Sequence, residues 1–295
     1  MTTQFPGRGF GAFWLGGTLL ALDCAGLASF VKAGYDLTLF SYEPVTNAPD
    51  GVKAADANRV VPRAMLDRVI YNGKPDLAHF SDVFRYQMIA SEGLVWVDVD
   101  LLRIRGEAAL PYPNIIVREE QGGINGAILY FGEKKLIRSV QRRVERKLYK
   151  ELRWGETGPM VIAGAVNDQK VTPEIYDHTL FYPIEHYDVW KLLLPQYYDF
   201  CAEQCRGALT IHLFNNILST LGYWKELAPP EGSYLHETLK EGDLLGFFRD
   251  VYPAKIMQSM ILNLRYSQNG KSLGVKSVLR ELIPSVARTY RHYRK

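Results

Sequence analysis

The chain has 295 residues, 47% of them apolar and 12% aromatic, which is ample for a packed core and excludes a disordered protein. Its 35 basic residues face 32 acidic ones, a formal net charge of +3, and this near balance argues against a nucleic-acid partner. Three cysteines, Cys24, Cys201 and Cys205, are too few for a disulfide framework, and the last two lack the second pair of a zinc site, which fits a reducing compartment.

The early stretch WLGGTLLALDCAGLASF has the look of a signal sequence, but Asp23 and Lys32 interrupt it and only Arg8 supplies a preceding basic region. No window offers the roughly 20 apolar residues of a membrane span. The expected location is therefore the cytoplasm, soluble or peripheral at the inner face of the membrane. Within the same region GAFWLGG predicts a buried strand ending at Gly16 and Gly17. Leu19, Leu20, Leu22, Leu27, Phe30 and Val31 then recur at roughly helical spacing as far as Gly34. DLTLFSYEP alternates as a strand and stops before Pro44. This βαβ opening, with RVIYN as the strand that follows, predicts a parallel sheet with helices packed on it.

Ser81 is the expected cap of the next helix, in which Phe84 and Met88 lie one turn apart and which Gly93 closes ahead of the strand LVWVDVD. PNIIVREEQGGINGAILYFG predicts two strands around a Gly-rich turn, and KKLIRSVQRRVERKLYKEL an amphipathic, strongly basic helix whose charges read as a solvated face. From about residue 225 the pattern becomes helical and irregular, with APPEGS as a loop. Without repeats or a low-complexity linker, the expectation is one domain: a core over residues 1–225 and a helical C-terminal extension over 226–295 packed on it. In the last twenty residues Lys276, Arg280, Arg288, Arg291, Arg294 and Lys295 face a single acid, Glu281, with Tyr290 and Tyr293 interleaved. They read either as a solvated tail or as a contact with anionic lipid, worth roughly 1 kcal/mol per basic residue.

The chemistry centres on residues 81–102, SDVFRYQMIASEGLVWVDVDLL. Within a strand Asp98 and Asp100 would share one face, and two carboxylates held together near a buried sheet edge repel unless a cation joins them. Oxygen ligands suit magnesium or manganese, which leave coordination positions for water and substrate phosphate. Asp82 and Arg85 stand three residues apart on the preceding helix and share a face. Ligands of open α/β sheets gather at the carboxyl ends of strands, where this pair would lie.

The combination SDVFRY, about ten residues, Gly, an apolar strand and DVD resembles the sugar-binding region of glycosyltransferase family 32 and its bacterial relatives. These are the DXD-motif enzymes related to the α-1,4-glycosyltransferases, to capsular and lipopolysaccharide sugar transferases and to the glucosylating clostridial toxins. FWLGGTLLALDCAGLASFVKAGYDLTLFSYEP, GVKAADANRVVPR, GETGP and IHLFN are similar to further landmarks, so roughly residues 10–220 are involved.

The resemblance implies the GT-A nucleotide-sugar fold, a mixed, mainly parallel sheet flanked by helices, with a mostly helical C-terminal extension here. It also implies a retaining transfer that depends on Mn2+ or Mg2+. By the same resemblance Asp100 would ligate the metal, Asp98 would contact the donor and the metal region, and His212 would complete the metal or diphosphate site. Asp82 and Arg85 would bind hydroxyls of the transferred sugar, and Asn125 would sit beside it. Trp14 would stack on the base, Gly16 would let the backbone approach the nucleotide, and Gly158 and Pro159 would border the donor. Leu94 and Phe214 depart from residues frequent at those positions, glycine and tryptophan. His178, His186 and His236 match no landmark.

The function so implied is transfer of a hexose from a nucleoside-diphosphate sugar, a UDP-sugar first among them, to a glycan or lipid-linked acceptor in cell-envelope polysaccharide synthesis. No carboxylate announces itself as a nucleophile, although Glu119, Glu120 and Glu156 are candidates, so attack from the face the leaving group vacates is the expected route. Two rivals are a sugar-nucleotide or glycan-binding module without turnover, and an aspartate-nucleophile phosphatase, whose D-x-D normally comes earlier in the chain.

Overall fold

The computed structural model describes residues 5, 9–104, 110–169 and 173–268. The first half runs β1 (Phe10–Trp14), α1 (Ala21–Lys32), β2 (Leu37–Ser41), β3 (Val52–Asp56), β4 (Ile70–Tyr71), β5 (Lys74–Pro75), α2 (Leu77–Glu92), β6 (Val95–Val97), β7 (Leu101–Arg103), β8 (Ile115–Arg118) and β9 (Ile124–Tyr130). The rest runs α3 (Lys134–Glu145), α4 (Pro159–Asn167), α5 (Tyr198–Gln204), β10 (Thr210–His212), α6 (Asn215–Leu221), β11 (Leu227–Ala228), α7 (Tyr234–Glu241), β12 (Asp250–Val251) and α8 (Ala254–Gln268), with short 3-10 turns between.

The result is an α/β fold around a mixed, mainly parallel sheet of six strands, ordered β3-β2-β1-β6-β9-β8. β1 pairs in parallel with β2 and β6, and β2 with β3, while β9 runs antiparallel to both β6 and β8. Alternation along each strand sends side chains to two different layers. Phe13, Phe40, Trp96 and Leu129 pack against α2, α3 and α4, whereas Phe10, Leu39, Val95 and Val97 pack with Leu27 and Phe30 of α1. The opposite face of α1, with Leu22, Ala25 and Ala28, joins a further core made with Leu102, Ile211 and residues of α5, α6, α7 and α8. All three cysteines are free and buried.

Three local expectations are corrected. RVIYN does not supply the next strand of the parallel sheet, because Ile70 and Tyr71 form a separate two-stranded hairpin with Lys74 and Pro75. The third parallel strand is β3, whose residues are exposed or half-exposed at the sheet edge and so carry little apolar signal. Ser81 does not cap α2. The helix begins a turn earlier, and the Asp76 side chain accepts from the His79 main-chain N–H at 2.9 Å. Finally, the strand before the aspartates ends at Val97, so Asp98 and Asp100 lie on a turn. Gly93 does close α2, in the left-handed conformation at φ 68° that glycine adopts without a Cβ clash.

Asp76→Ala should lower stability by about 1 kcal/mol, the usual worth of an N-cap side chain, as read by a shift of the urea midpoint at unchanged slope. Among the described residues no helix is long and apolar enough to cross a membrane. The basic C-terminal tail lies outside the described residues.

Candidate metal centre and its cleft

At the carboxyl ends of β1 and β6 lies a cleft of about 840 Å³. One wall carries Trp14, the next Asp98 and Asp100, then Asn125 and Gly126 of β9, with Asp82 and Arg85 of α2 and His212 of β10 closing round it. Three of these, Asp98, Asp100 and His212, offer ligand atoms that all lie within 4.8 Å of one another.

The turn that carries the two aspartates is fixed from every side by main-chain bonds. Asp98 N–H extends the β6–β9 pairing by donating to Ala127 O at 2.8 Å, and Leu101 N–H closes the turn onto Asp98 O at 3.1 Å. β7 then leaves antiparallel to β10 in a register that sets Leu101 opposite His212, and Leu213 N–H donates to Asp100 O at 3.0 Å. This two-stranded ribbon is what brings a histidine from a distant part of the chain beside Asp100. The floor of the turn is α1: a Cβ added to Gly26 would stand 2.3 Å from Val99 O, so only glycine lets helix and turn meet this closely.

Side chains complete the arrangement. Asp98 Oδ1 accepts from Trp96 Nε1 at 2.7 Å and faces Arg85 Nη2 at 3.3 Å. Asp100 Oδ2 accepts from the Asn215 main-chain N–H at 2.7 Å and stands 3.6 Å from His212 Nε2. The His212 ring is buried against Phe214, centroids 3.9 Å apart, and its Nδ1 is a buried polar atom without a hydrogen-bond partner among the described residues. Burial raises the Asp98 carboxyl above the ordinary carboxylate range, with Asp100 adding to the rise and Arg85 opposing it. Burial acts on Asp100 too, but the His212 ring and the Asn215 N–H outweigh it and hold Asp100 below that range. Two carboxylates pressed together and an imidazole beside them form a donor set that could hold a metal ion.

Arg85 is a buried hub rather than half of a surface ion pair. Its Nη1 donates to Gly126 O at 2.7 Å, its Nη2 faces Asp82 at 3.4 Å as well as Asp98, and its guanidinium lies 4.9 Å from the Trp96 ring centre. Asp82 Oδ2 in turn accepts from Thr157 Oγ1 at 2.7 Å, and a Cβ at Gly158 would come within 2.9 Å of that carboxylate. GETGP is thus clasped onto α2, also through Tyr86 Oη donating to Thr157 O at 2.9 Å. Burial raises the Asp82 carboxyl, against the pull of Arg85 and Thr157.

Of the residues singled out from sequence, Trp14, Asp82, Arg85, Asp98, Asp100, Asn125, Pro159 and His212 line this one cleft. Gly16 and Gly158 stand behind it: Gly16, at φ 136°, lies against the Trp14 indole, and Gly158 caps the start of α4. Asn125 braces its own hairpin, donating to Glu119 Oε1 at 3.1 Å and accepting from Ala127 N–H at 2.8 Å. Glu119 and Glu120 face the cleft, whereas Glu156 pairs with Lys147 outside it.

Sequence reasoning missed several neighbours. His186 lines the cleft with Nδ1 2.5 Å from Glu120 Oε1, and Asn215, Tyr182 and the largely exposed Trp154 also border it. The acidic pair Glu119–Glu120 at the end of a predicted strand was the one available signal; nothing in EHYDVW marks its histidine.

No family model matches the sequence, and comparison with curated proteins finds no match. Among solved structures the chain is similar to the PaToxG glycosyltransferase, at 13% identity over 88% of this chain and 84% of that one, with a TM-score of 0.38. A likeness this distant says nothing of chemistry at the site.

Proposed function

We propose that the cleft is the donor site of a metal-dependent glycosyltransferase that takes a hexose from a nucleoside-diphosphate sugar, of the UDP class, and retains the anomeric configuration. One observation carries the reading. Asp82, Arg85, Asp98, Asp100, Asn125 and His212, picked from sequence as parts of such a site, surround a single cavity of about 840 Å³, and three of them can grip one cation. That volume falls within the range of about 300–1,000 Å³ common for small-molecule sites.

In this reading Asp98, Asp100 and His212 hold the ion, which when bound stabilises the negative charge that gathers on a departing diphosphate. The chain's own groups do the rest. Trp14, its Nε1 tied to Thr18 O at 3.0 Å, presents a fixed ring for a base to stack on. Arg85 supplies fixed positive charge on the sugar side, and Asp82 and Asn125 offer oxygen and amide groups for hydroxyls. Glu119 and Glu120 are the cleft carboxylates nearest to hand, yet Glu119 is bound by Asn125 and Glu120 by His186. Attack from the vacated face therefore remains the preferred route to retention. The acceptor is proposed to be a glycan or lipid-linked sugar of the cell envelope, met at the inner membrane face, with residues 1–225 as the catalytic core and 226–295 as an extension.

The test is a thermal-shift panel of nucleotide sugars with Mn2+. A donor at 100 times its Kd stabilises the folded state by about 2.7 kcal/mol, and one donor of the panel is expected to raise the melting temperature in wild type and not in Asp100→Ala. A donor-hydrolysis assay separates the rivals: a transferase releases nucleoside diphosphate, a phosphatase free phosphate, and a binding module neither. Absence of any donor- and Mn2+-dependent shift across the panel would overturn the proposal.

A further inference from the structure

Asp23 is an acid in the middle of the apolar face of α1, and it is 0% exposed. Its carboxylate accepts from Lys225 Nζ at 3.2 Å and from Asn215 Nδ2 at 3.2 Å. Lys225 is itself only 9% exposed, and its carbonyl accepts from Leu22 N–H at 3.1 Å, so the pair is stitched to α1 by both main chain and side chain. Asn215 is the first residue of α6 and the one whose main-chain N–H holds Asp100 Oδ2. The residue before it, Phe214, sits at φ 48°, ψ 70°, a left-handed conformation that a bulky side chain adopts only when its surroundings impose it. Bonds from Leu213 N–H to Asp100 O and from Asn215 N–H to Asp100 Oδ2 flank it on either side.

Two buried opposite charges are a poor way to gain stability, since their desolvation offsets most of their attraction. What this pair gains is position. We propose that Asp23 and Lys225 are positioning residues of the cation site: their buried pair fixes the Asn215 amide, and Asn215 fixes the plane of the Asp100 carboxylate. The inference rests on the cation site proposed above and extends it to residues that no donor touches. Neutralising Asp23 would leave the buried Lys225 ammonium without its counter-charge.

The experiment is Mn2+ titration of the full chain, followed by the loss of the free-ion EPR signal, for wild type, Asp23→Asn, Asn215→Ala and Asp243→Asn. Asp23→Asn keeps the shape and an oxygen for Asn215 but removes the charge, and Asn215→Ala removes the link with little change in volume. Both are expected to weaken Mn2+ binding by about tenfold or more, the usual effect of losing a ligand's supporting partner. Asp243→Asn breaks the exposed ion pair with Lys32 at the far end of α1 and should leave the Kd unchanged. Should Asp23→Asn fail to fold, Asn215→Ala alone decides. A lowered melting temperature with wild-type Mn2+ affinity in the variants would overturn the inference and leave the cation site standing. Failure of the wild type itself to bind Mn2+ would bring down both.

Discussion

Arg85→Met should destabilise the protein by about 3–5 kcal/mol, the cost of removing one partner from a buried ion pair and leaving the other uncompensated. Here the loss is doubled in kind, because one guanidinium faces both Asp82 and Asp98 and also satisfies the Gly126 carbonyl. Methionine fills much of the volume over Trp96, so the effect isolates charge and hydrogen bonding rather than a cavity. The loss should depend on pH in a defined sense. Both carboxyls already lie above their ordinary range in the fold, and Arg85 is what restrains them. Without it their folded pKa values rise further above the unfolded value. A group raised in this way contributes stability that is complete below its unfolded pKa and lost as pH climbs through its folded pKa. The gap between variant and wild type should therefore be widest near pH 8 and shrink towards pH 4, by urea unfolding in the presence of a chelator.

Gly26→Ala should be the second severe change, though it lies in a helix where alanine is normally favoured over glycine by about 1 kcal/mol. The added Cβ would meet Val99 O at 2.3 Å and Leu101 O at 3.4 Å, and both are backbone atoms that no rotamer change can move. Retreat of the turn would break the bonds from Asp98 N–H to Ala127 O and from Leu213 N–H to Asp100 O. Overpacking costs typically about 1–3 kcal/mol, which outweighs the gain in propensity. The informative readout is Mn2+ binding at the proposed cation site, which should be lost even in the fraction that stays folded, because both carboxylates ride on the displaced turn. An unchanged Mn2+ titration in a folded Gly26→Ala protein would show that the turn does not depend on its contact with α1.

Much of the cleft was legible in the sequence because its parts are local. SDVFRY, Gly93 and DVD lie within one helix, its cap and the turn that ends the next strand, so short-range spacing fixes which residues can meet. The sheet's opening was legible for the same reason, since alternation in Leu37–Ser41 and an apolar run before Gly16 are short-range signals. What escaped was either edge structure or long-range partnership. β3 lies at the sheet margin and needs no apolar face, while Ile70 and Tyr71 look strand-like yet pair only with their own hairpin. Ser81 and Asp76 are equally good cap residues by type, and Phe84 and Met88, one turn apart, fit a helix that starts at either. Asp23 read as an interruption in an apolar run because its cation comes from Lys225, and His186 carried no pattern because its carboxylate partner, Glu120, lies far off in sequence between β8 and β9.

The ribbon formed by β7 and β10 has a kinetic corollary. Its two strands are separated by more than a hundred residues of chain, so their pairing is a non-local contact that closes a long loop. The three residues of the candidate cation site are split across that closure, with two on the near strand's turn and one at the end of the far strand. The candidate site is complete only once this ribbon has paired, so a lanthanide or manganese probe during refolding would time that docking.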